Sequence, residues 1–336
     1  MPAYHSDQPG LVTIFGGSGF VGRHTVRAFA QAGWRVRVAC RRPDLAFYLQ
    51  PMGRVGQITA VQANVRYPAS VMAAAKGSDA IVNLIGVLTP KGRQSFDTVH
   101  GFGARTIARA AAEAGAKQLV HMSALGAAAQ SDSAYARSKA AGEVATRELF
   151  PDAAIVRPSL VFGPEDEFFN RFAAIARMSP ILPLFGGGQS RFQPVYVGDV
   201  AKAIVQLSHA RPDSSGGVYE FGGPDVRTFE ELMKFICDET GRKRFLVPVP
   251  LPIARAQAFM LELTNKLSLG IWPDWLTVSR DQIALLQHDN IVSDQASAEG
   301  RTLQGLGITP ESYEAIVPSY LYRFRKTGQF ETRRTF

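Results

Sequence analysis

A glycine-rich turn between an apolar run and a helical pattern is the feature that most constrains what this chain can fold into. Leu11–Phe15 is short, apolar and rich in β-branched residues, which is typical of a strand buried on both faces of a parallel sheet. Gly16, Gly19 and Gly22 follow at three-residue spacing, and a helix is predicted over residues 24–32. Strand, turn and helix in this order predict a dinucleotide site, because such glycines allow a tight bend, a close backbone approach to a pyrophosphate, and close packing of helix on strand. The predicted phosphate-binding set lies at the helix N-terminus and comprises Gly16, Gly17, Ser18, Gly19, Phe20, Val21 and Gly22.

Predicted strands and helices alternate through the rest of the first half. Strands are predicted at 34–40, 58–63, 80–85 and 118–122, and helices at 68–76, 96–115 and 135–148. This alternation predicts an α/β fold, a Rossmann-type doubly wound parallel sheet with a smaller C-terminal α/β lobe. The predicted division is an N-terminal extension at 1–10, a dinucleotide-binding domain at 11–165 to which 193–210 and 217–222 return, a C-terminal substrate or partner lobe at 166–192 and 223–325, and a basic tail at 326–336.

The end of the second predicted strand bears on the choice of cofactor. The strand ends in Cys40-Arg41-Arg42, where NAD-binding folds usually carry a carboxylate for the ribose hydroxyls, and the first carboxylate here is that of Asp44. Guanidinium groups make charge-assisted, two-point hydrogen bonds to phosphate, so Arg41 and Arg42 suit a 2′-phosphate. A solvated basic loop is the alternative interpretation. We expect NADPH to be preferred over NADH.

Ser123, Tyr135 and Lys139 form a second candidate constellation. Ser123 follows a predicted strand, where open α/β sheets bind ligands, and Tyr135 and Lys139 lie four residues apart on one face of the next helix. A lysine ammonium near the phenol favours the ionised tyrosine, which can then exchange a proton with a substrate oxygen held by Ser123. Tyr-x-x-x-Lys pairs also arise by chance on helix surfaces. Behind this glycine motif, the set predicts a catalytic site or the remnant of one.

Composition limits the classes of function. With 46% hydrophobic and 20% charged residues, the 336-residue chain has the composition of an ordinary globular protein. Its two cysteines, Cys40 and Cys237, are too few for a disulfide framework or a zinc site and favour a reducing, cytoplasmic-side location. No apolar segment is long enough to span a membrane, and the polar N-terminus lacks a secretory signal. The net charge of +8 is moderate and the basic residues are dispersed, so we expect no nucleic-acid partner.

Two further motifs complete a family resemblance. With Asn83–Gly86 at the fourth predicted strand and Arg157–Pro164 further on, the motifs above resemble the extended or atypical short-chain dehydrogenase/reductase family. In that family the second motif passes beside the nicotinamide, and a pair similar to Asn64-Val65 touches the adenine; Asn in place of the family's Asp keeps an acceptor oxygen. The resemblance therefore implies further cofactor-binding residues, which are Asn64, Val65, Leu84, Ile85, Gly86, Tyr135, Lys139, Pro158, Ser159 and Leu160.

A narrower resemblance bears on function. Pro164–Asn170 and Gln193–Val200 look like the NAD(P)H-binding accessory subunit of respiratory complex I and its bacterial relatives, and the likeness runs from about residue 10 to about residue 325. It implies a peripheral NADPH-holding accessory subunit or assembly factor beside the quinone-access region, in contact with core subunits, on the inner face of the cytoplasmic membrane or the matrix side of a mitochondrion. The intact Tyr135 and Lys139 keep a second hypothesis open, an active NADPH-dependent oxidoreductase or epimerase acting on a carbonyl or hydroxyl group, for example in quinone biosynthesis.

The last third of the chain carries closely spaced aromatic and basic residues. Apolar residues repeat along Leu251–Leu269 with a helical period, and charged residues take another face. Packing on the core explains this pattern. However, Ile271–Trp275 and the tail, Tyr320–Lys326 with Arg333 and Arg334, also suit a membrane surface with anionic lipid or an anionic partner. A membrane-surface contact is therefore predicted as an alternative to core packing.

Overall fold

Two compact units make up the part of the chain that the structure describes. The computed structural model describes residues 10–90, 92, 94–209, 216–250, 252–253, 280–326 and 328–330. The first unit contains the described residues of Met1–Pro158, Val197–Phe221 and Ser293–Thr309. The second contains those of Ser159–Tyr196, Gly222–Val292 and Pro310–Phe336. Apart from residues 252–253, the predicted helix over 251–269 lies outside the described residues, as do residues 271–275, Arg333 and Arg334.

The regular elements follow the predicted alternation. The strands are β1 Leu11–Phe15, β2 Arg35–Cys40, β3 Ile58–Gln62, β4 Ala80–Asn83, β5 Gln118–Met122, β6 Ala154–Pro158, β7 Val161–Phe162, β8 Ile181–Phe185, β9 Arg191–Phe192, β10 Val195–Tyr196, β11 Val218–Phe221, β12 Arg227–Thr228 and β13 Phe245–Val249. The helices are α1 Phe20–Gln31, α2 Pro68–Ala75, α3 Gly103–Glu113, α4 Ala134–Leu149, α5 Phe169–Met178, α6 Val197–Leu207, α7 Phe229–Glu239, α8 Arg280–Leu285, α9 Asp294–Ala298, α10 Tyr313–Ile316 and α11 Pro318–Leu321. Short 3₁₀-helices include Pro43–Met52, and a π-helix occupies Asp97–Phe102.

Seven parallel strands form the sheet of the first unit. Their order is β11-β6-β5-β4-β1-β2-β3, and every neighbouring pair is parallel. The predicted fold class, a Rossmann-type doubly wound sheet, is confirmed. The strand order reverses between β1 and β4, and the carboxyl ends of parallel strands at such a reversal leave a crevice for a ligand.

Three element boundaries in the first unit differ from the predictions. Helix α1 begins at Phe20 rather than at residue 24, because Gly19 is its N-cap and Gly22 lies in its first turn. Strand β4 ends at Asn83 rather than at residue 85, because the Asn83 side chain accepts the N–H of Ile85 and takes the place of a strand partner. The helix predicted over 96–115 begins as a π-helix and becomes α-helical only at Gly103.

The second unit is built on aromatic packing and short strand pairs. Strand β7 pairs with β10, β8 with β13, and β9 with β12. Its core is rich in phenylalanine, including the buried Phe162, Phe169, Phe172, Phe192 and Phe229. Pairs of these rings make edge-to-face contacts, which stabilise the core beyond the contribution of the buried apolar area.

The unit boundaries also differ from the predicted ones. The first unit ends at Pro158, whereas the predicted boundary lies at residue 165. Residues 293–309, which the prediction assigned to the C-terminal lobe, belong to the first unit. Backbone bonding explains this return, because the Glu220 N–H donates to the Arg301 carbonyl at 2.9 Å and the Ser293 N–H donates to the Glu220 carboxylate at 2.8 Å. No helix of the described part is long and apolar enough to cross a membrane.

Candidate functional site

A cavity opens at the carboxyl ends of β1, β2, β3 and β4, where the strand order reverses. Four stretches line it, each following one strand, and they contain nine predicted cofactor residues: Gly16, Ser18, Gly19, Arg41, Asn64, Val65, Leu84, Ile85 and Gly86. Other wall residues were not assigned to the cofactor from sequence: Ala39, Cys40, Ala63, Arg66, Val87, Gln94 and Val99. Arg66 and Val87 each directly follow a predicted site residue in a loop after a strand end, and this position is the signal that could have identified them. The remaining predicted site residues lie outside this wall.

The glycine turn has a geometry that explains its glycines. Gly16 has φ +82°, a backbone conformation that L side chains rarely adopt, and its N–H donates to the Ala39 carbonyl at 3.2 Å. A Cβ at Gly22 would lie 2.2 Å from the Gly16 carbonyl oxygen, so α1 can start against the turn only with glycine there. The first N–H groups of α1, at Phe20, Val21 and Gly22, precede the first intrahelical bond and remain available to an anion. The turn therefore fits a pyrophosphate.

Tyr48 and Arg23 brace the turn from outside, and neither was singled out from sequence. The Tyr48 hydroxyl donates to the Ser18 carbonyl at 2.7 Å. The Arg23 guanidinium lies 5.4 Å from the Tyr48 ring centroid, and its Nε donates to the Gly19 carbonyl at 3.4 Å. Both side chains bond to carbonyl oxygens of the turn, so they orient its peptide groups. These bonds do not use the N–H groups of the turn. Only the tertiary structure brings residue 48 to residue 18.

The two predicted 2′-phosphate ligands differ in their surroundings. Arg41 is in the cavity wall. Arg42 is outside it and pairs with Asp44, with Nη2 2.8 Å from one carboxylate oxygen and Nε 3.2 Å from the other. This bond raises the pKa of Arg42 and lowers the pKa of Asp44. Arg66, which lines the same cavity, was not predicted as a ligand. The cavity wall thus includes one predicted and one unpredicted arginine residue.

Asn64 and Val65 follow β3 at the cavity. The Asn64 Oδ1 accepts the Arg66 N–H at 3.1 Å, which folds the loop back on itself. A carbonyl oxygen has a second lone pair, so this bond leaves one acceptor position for a ligand. Val65 is buried, and its side chain lies 3.3 Å from the position that a Cβ on Gly103 would occupy. Val65 therefore packs against the start of α3 and also lines the cavity.

Ser123 directly follows the carboxyl end of β5, and Lys139, with Tyr135 beside it, reaches the last residue of that strand. Lys139 is 6% exposed, its Nζ donates to the Met122 carbonyl at 3.1 Å, and the same atom lies 5.7 Å from the Tyr135 ring centroid. Burial lowers the pKa of Lys139 to about 8. Ser123 is 2% exposed, and its hydroxyl has no hydrogen-bond partner among the described residues. A buried hydroxyl without a partner is costly, so a ligand that brought an acceptor or donor to this group would remove that cost.

His100, on the π-helix, joins this group to the loop after β4. Its Nδ1 lies 2.8 Å from the Ser138 hydroxyl, which itself donates to the Tyr135 carbonyl at 2.7 Å. Its Nε2 accepts the Val87 N–H at 3.1 Å. Because Ser138 uses its proton elsewhere and Nε2 is an acceptor, the ring must be neutral with its proton on Nδ1. Burial first and the Lys139 charge second lower the pKa of His100 to about 3.

The His100 ring also contacts Tyr135 directly. The two ring centroids are 5.5 Å apart and nearly perpendicular, and the Phe96 ring stacks on His100 at 5.6 Å and lies 5.9 Å from the Tyr135 ring. Gly86 is close by, since a Cβ there would lie 3.3 Å from the Lys139 Nζ. His100 is not among the predicted site residues, although its place in the predicted helix after Phe96 allows a position near the cofactor. The π-helix, a deviation that is frequent at functional sites, places it there.

His121 is a buried structural histidine on β5. Its Nδ1 lies 3.0 Å from the Asn83 amide nitrogen, and the Asn83 Oδ1 accepts the Ile85 N–H at 3.1 Å. The amide therefore donates to His121, whose Nδ1 must be unprotonated. Burial lowers the pKa of His121 to about 3. This pair aligns the ends of β4 and β5, between the cavity and Ser123.

Pro158, Ser159 and Leu160 divide between the two units. Pro158 ends β6 in the first unit. In the second unit the Ser159 hydroxyl lies 2.7 Å from the Asn290 carbonyl and accepts the Gln193 N–H at 3.2 Å. Leu160 packs against the phenylalanine-rich core. Ser159 and Leu160 thus have contacts within their own unit that account for their residue types. The described residues contain no group of three or more His, Cys, Asp or Glu side chains suited to a metal ion.

Comparison with known proteins identifies similar chains over most of this one. The model of the NAD dependent epimerase/dehydratase family matches residues 12–222. "NADH dehydrogenase [ubiquinone] 1 alpha subcomplex subunit 9, mitochondrial" from Arabidopsis thaliana is 35% identical over 321 residues, covering 95% of this chain and 79% of the relative. "Ceramide reductase" from Caulobacter vibrioides is 35% identical over 251 residues, covering 74% of this chain and 76% of the relative.

Solved structures share the fold. The crystal structure of Citrobacter sp. triphenylmethane reductase complexed with NADP(H) superposes with a TM-score of 0.67 at 16% identity, covering 92% of this chain and 99% of the other. At this identity the likeness concerns the fold alone.

Proposed function

The chain belongs to the NAD dependent epimerase/dehydratase family, and from this premise we propose that it is an NADPH-binding accessory subunit, or an assembly or stability factor, of respiratory NADH:quinone oxidoreductase. The observation that carries the proposal is the 35% identity to a subunit of that enzyme over 95% of this chain. The aligned part, 95% of this chain, extends over both units described above. The same resemblance supports a peripheral position on the inner face of the cytoplasmic membrane, or the matrix side of a mitochondrion, in contact with core subunits.

NADPH is the proposed cofactor because of the charges in the cavity. Arg41 lies in the wall just after β2, and Arg66 adds a second guanidinium after β3. A 2′-phosphate carries charge that arginine neutralises with two parallel hydrogen bonds. Gly16 and Gly22 shape the turn for the pyrophosphate, and Asn64 and Val65 would meet the adenine. Leu84, Ile85 and Gly86 then lie toward the nicotinamide end, beside Lys139.

An active NADPH-dependent oxidoreductase is the second candidate, and Ser123 favours it. NADPH, when bound, supplies the hydride for such a reaction. Ser123 is buried without a hydrogen-bond partner in the described structure, and it is suited to hold a carbonyl or hydroxyl oxygen of a substrate. In this candidate role Tyr135 moves a proton at that oxygen, and Lys139, whose Nζ lies 5.7 Å from the Tyr135 ring centroid, stabilises the phenolate. The similarity to a ceramide reductase supports the same candidate, and a quinone precursor is another substrate of suitable chemistry.

Affinity purification tests the proposal. The tagged protein is isolated from native membranes solubilised in mild detergent, and co-eluting proteins are identified by mass spectrometry. We expect core subunits of NADH:quinone oxidoreductase in stoichiometric amounts. Recovery of the protein alone, or with biosynthetic enzymes, would reject the accessory role and favour the oxidoreductase.

A Tyr135→Phe variant is the matched control for this experiment. It removes one hydroxyl and keeps the ring that contacts His100 and Phe96. An accessory subunit carrying the variant should recover the same subunits and restore respiration in a deletion strain. A variant that binds NADPH and its partners but fails to restore respiration would assign a catalytic role to the site.

A further inference from the structure

The second unit carries an exposed surface of basic and apolar side chains, formed by the strand pair β8–β13 and the residues before each strand. In this parallel pair Ile181 lies beside Phe245, and Pro183 beside Val247. Successive side chains of a strand point to opposite faces. Leu182 and Leu184, on one face, are buried in the core, and Leu246 packs against it. Among the described residues, the Ile181, Phe245 and Val247 side chains of the other face are exposed.

Large apolar side chains occupy that outer face. Phe245 is 76% exposed, Ile181 47% and Val247 40%, and Met178 at the end of α5 is 64% exposed. The backbone holds these residues together, because the Phe245 N–H donates to the Pro180 carbonyl at 3.0 Å. Single exposed apolar residues are common, but a row of four on adjoining elements marks a contact surface.

Basic side chains border the apolar row. Arg177 precedes Met178, and Arg242, Lys243 and Arg244 precede Phe245. Residues 176–186 and 241–253 contain these four cations and no Asp or Glu. Arg244 is anchored, since its Nε donates to the Ala176 carbonyl at 2.6 Å, and Arg242 donates to the Phe324 carbonyl at 3.2 Å. These hydrogen bonds hold the positive charges close together, so an anionic neighbour would lower the electrostatic energy of each cation.

We propose that this basic-apolar face, Met178, Ile181, Phe245 and Val247 with Arg177, Arg242, Lys243 and Arg244, binds the surface of a bilayer that contains anionic lipid. The apolar side chains enter the boundary between headgroups and acyl chains, and the cations contact lipid phosphates. Stable attachment to a membrane surface usually needs two such signals, and this face has both. A protein interface commonly has a polar rim of mixed charge, whereas the charged residues within 176–186 and 241–253 are all basic, which favours the bilayer as the partner of this face.

The inference deepens the proposed function and rests on the peripheral position proposed there. It concerns described residues of the second unit and needs neither the cofactor cavity nor a partner subunit. Vesicle binding by the purified full-length protein therefore tests it separately from the accessory role, which the purification from membranes tests.

The experiment measures co-sedimentation with vesicles of phosphatidylcholine alone and of phosphatidylcholine with one part in five of phosphatidylglycerol. We expect binding to the anionic vesicles only, weakened by raising the salt concentration from 0.1 to 0.5 M. The Lys243→Glu/Phe245→Ser double variant should bind about tenfold or more weakly, since it reverses one charge and removes the most exposed ring. Both side chains are exposed, so the variant should keep the melting temperature of the parent.

The Arg54→Glu/Val55→Ser double variant is the matched control. It makes the same change in net charge and removes an apolar side chain that is fully exposed on the first unit. We expect it to bind like the parent. Equal binding of the parent to both vesicle types, equal loss in both double variants, or no loss in the first would overturn the proposal. Absence of vesicle binding at any composition would overturn it as well and would leave an acidic protein as the partner that this face fits.

Discussion

Arg41, Arg42 and Asp44 show how residues that are close in sequence can differ in their surroundings. Arg41 lies in the cavity wall, while Arg42 is held by Asp44 outside it. From the sequence the two arginines were equivalent. The carboxylate separates their roles, because it neutralises one guanidinium and adds a negative charge beside the position expected for a 2′-phosphate.

We predict that Arg41→Ala weakens NADPH binding about tenfold and leaves NADH binding within about twofold, since only NADPH carries the extra phosphate. Asp44→Asn should strengthen NADPH binding severalfold, because it releases Arg42 and removes a repulsive charge. Titrations of cofactor fluorescence with each variant measure both. Arg35→Ala, an exposed arginine at the other end of β2, is the control and should change neither affinity. Equal losses for the two cofactors in Arg41→Ala would contradict the assignment.

Two buried histidines predict a dependence of stability on pH. Burial lowers the pKa values of His100 and His121 from 6.5 to about 3 in the folded protein. Between those values the unfolded chain binds more protons, so stability present above pH 6.5 is lost as the pH falls toward 3. Each histidine should cost about 2 kcal/mol between pH 6.5 and pH 5.

Urea unfolding at pH 7 and pH 5 measures this loss. His100→Gln keeps hydrogen-bonding groups without a titrating ring, so its free energy of unfolding should fall less on acidification than that of the parent. A parent whose stability is unchanged between pH 7 and pH 5, or a variant with the same pH dependence, would show that the rings do not stay neutral on folding.

At the scale of elements, the start of α1 against the glycine turn is the contact that organises the cavity. Gly19→Ala adds a methyl group whose nearest non-neighbouring atom is 3.4 Å away, whereas at Gly22 the distance to the Gly16 carbonyl oxygen is 2.2 Å. We predict that Gly22→Ala lowers the free energy of unfolding by about 1–3 kcal/mol, because α1 must shift. Gly19→Ala should change stability by less than about 1 kcal/mol and still weaken NADPH binding, since its methyl group faces the phosphates.

Thermal and urea unfolding without cofactor, followed by NADPH titration, separate the two effects. If Gly22→Ala is as stable as the parent, the close packing of α1 on the turn is not needed for the fold. If Gly19→Ala binds NADPH like the parent, the cofactor does not approach the backbone at that position.

Element identity could be predicted from the sequence more fully than element function. Buried apolar runs such as Leu11–Phe15 and Gln118–Met122 are short and bounded by turn residues, so their strands were predicted to within a residue or two. The π-helix at Asp97–Phe102 could not be predicted. Its extra residue per turn is stabilised by contacts with α4 and with the loop after β4, and none of these is visible in the local pattern.

At the scale of the whole molecule, the two units carry separate parts of the proposed role. The first holds the cofactor cavity and the group around Tyr135, and the second holds the basic-apolar face. A protein that attaches one surface to a membrane and keeps a nucleotide in another unit can serve as a structural subunit, or as an enzyme for a lipid-like substrate. The partners recovered from native membranes decide between them.

The sequence by itself determined the parallel sheet, the glycine turn and the strand-end residues, because each depends on local spacing and on apolar runs that can be buried only in one way. Tertiary structure alone decided that Asp44 binds Arg42, that Tyr48 braces Ser18, and that His100 joins Val87 to Ser138. It also decided that 293–309 returns to the first unit and that Phe245 and Ile181 share one exposed face. Some of these contacts join residues that are far apart along the chain. Others join neighbours in sequence, where several partners are equally close and the sequence does not show which one forms the bond. Their energies depend on burial and on competing neighbours, which exist only once the chain has folded.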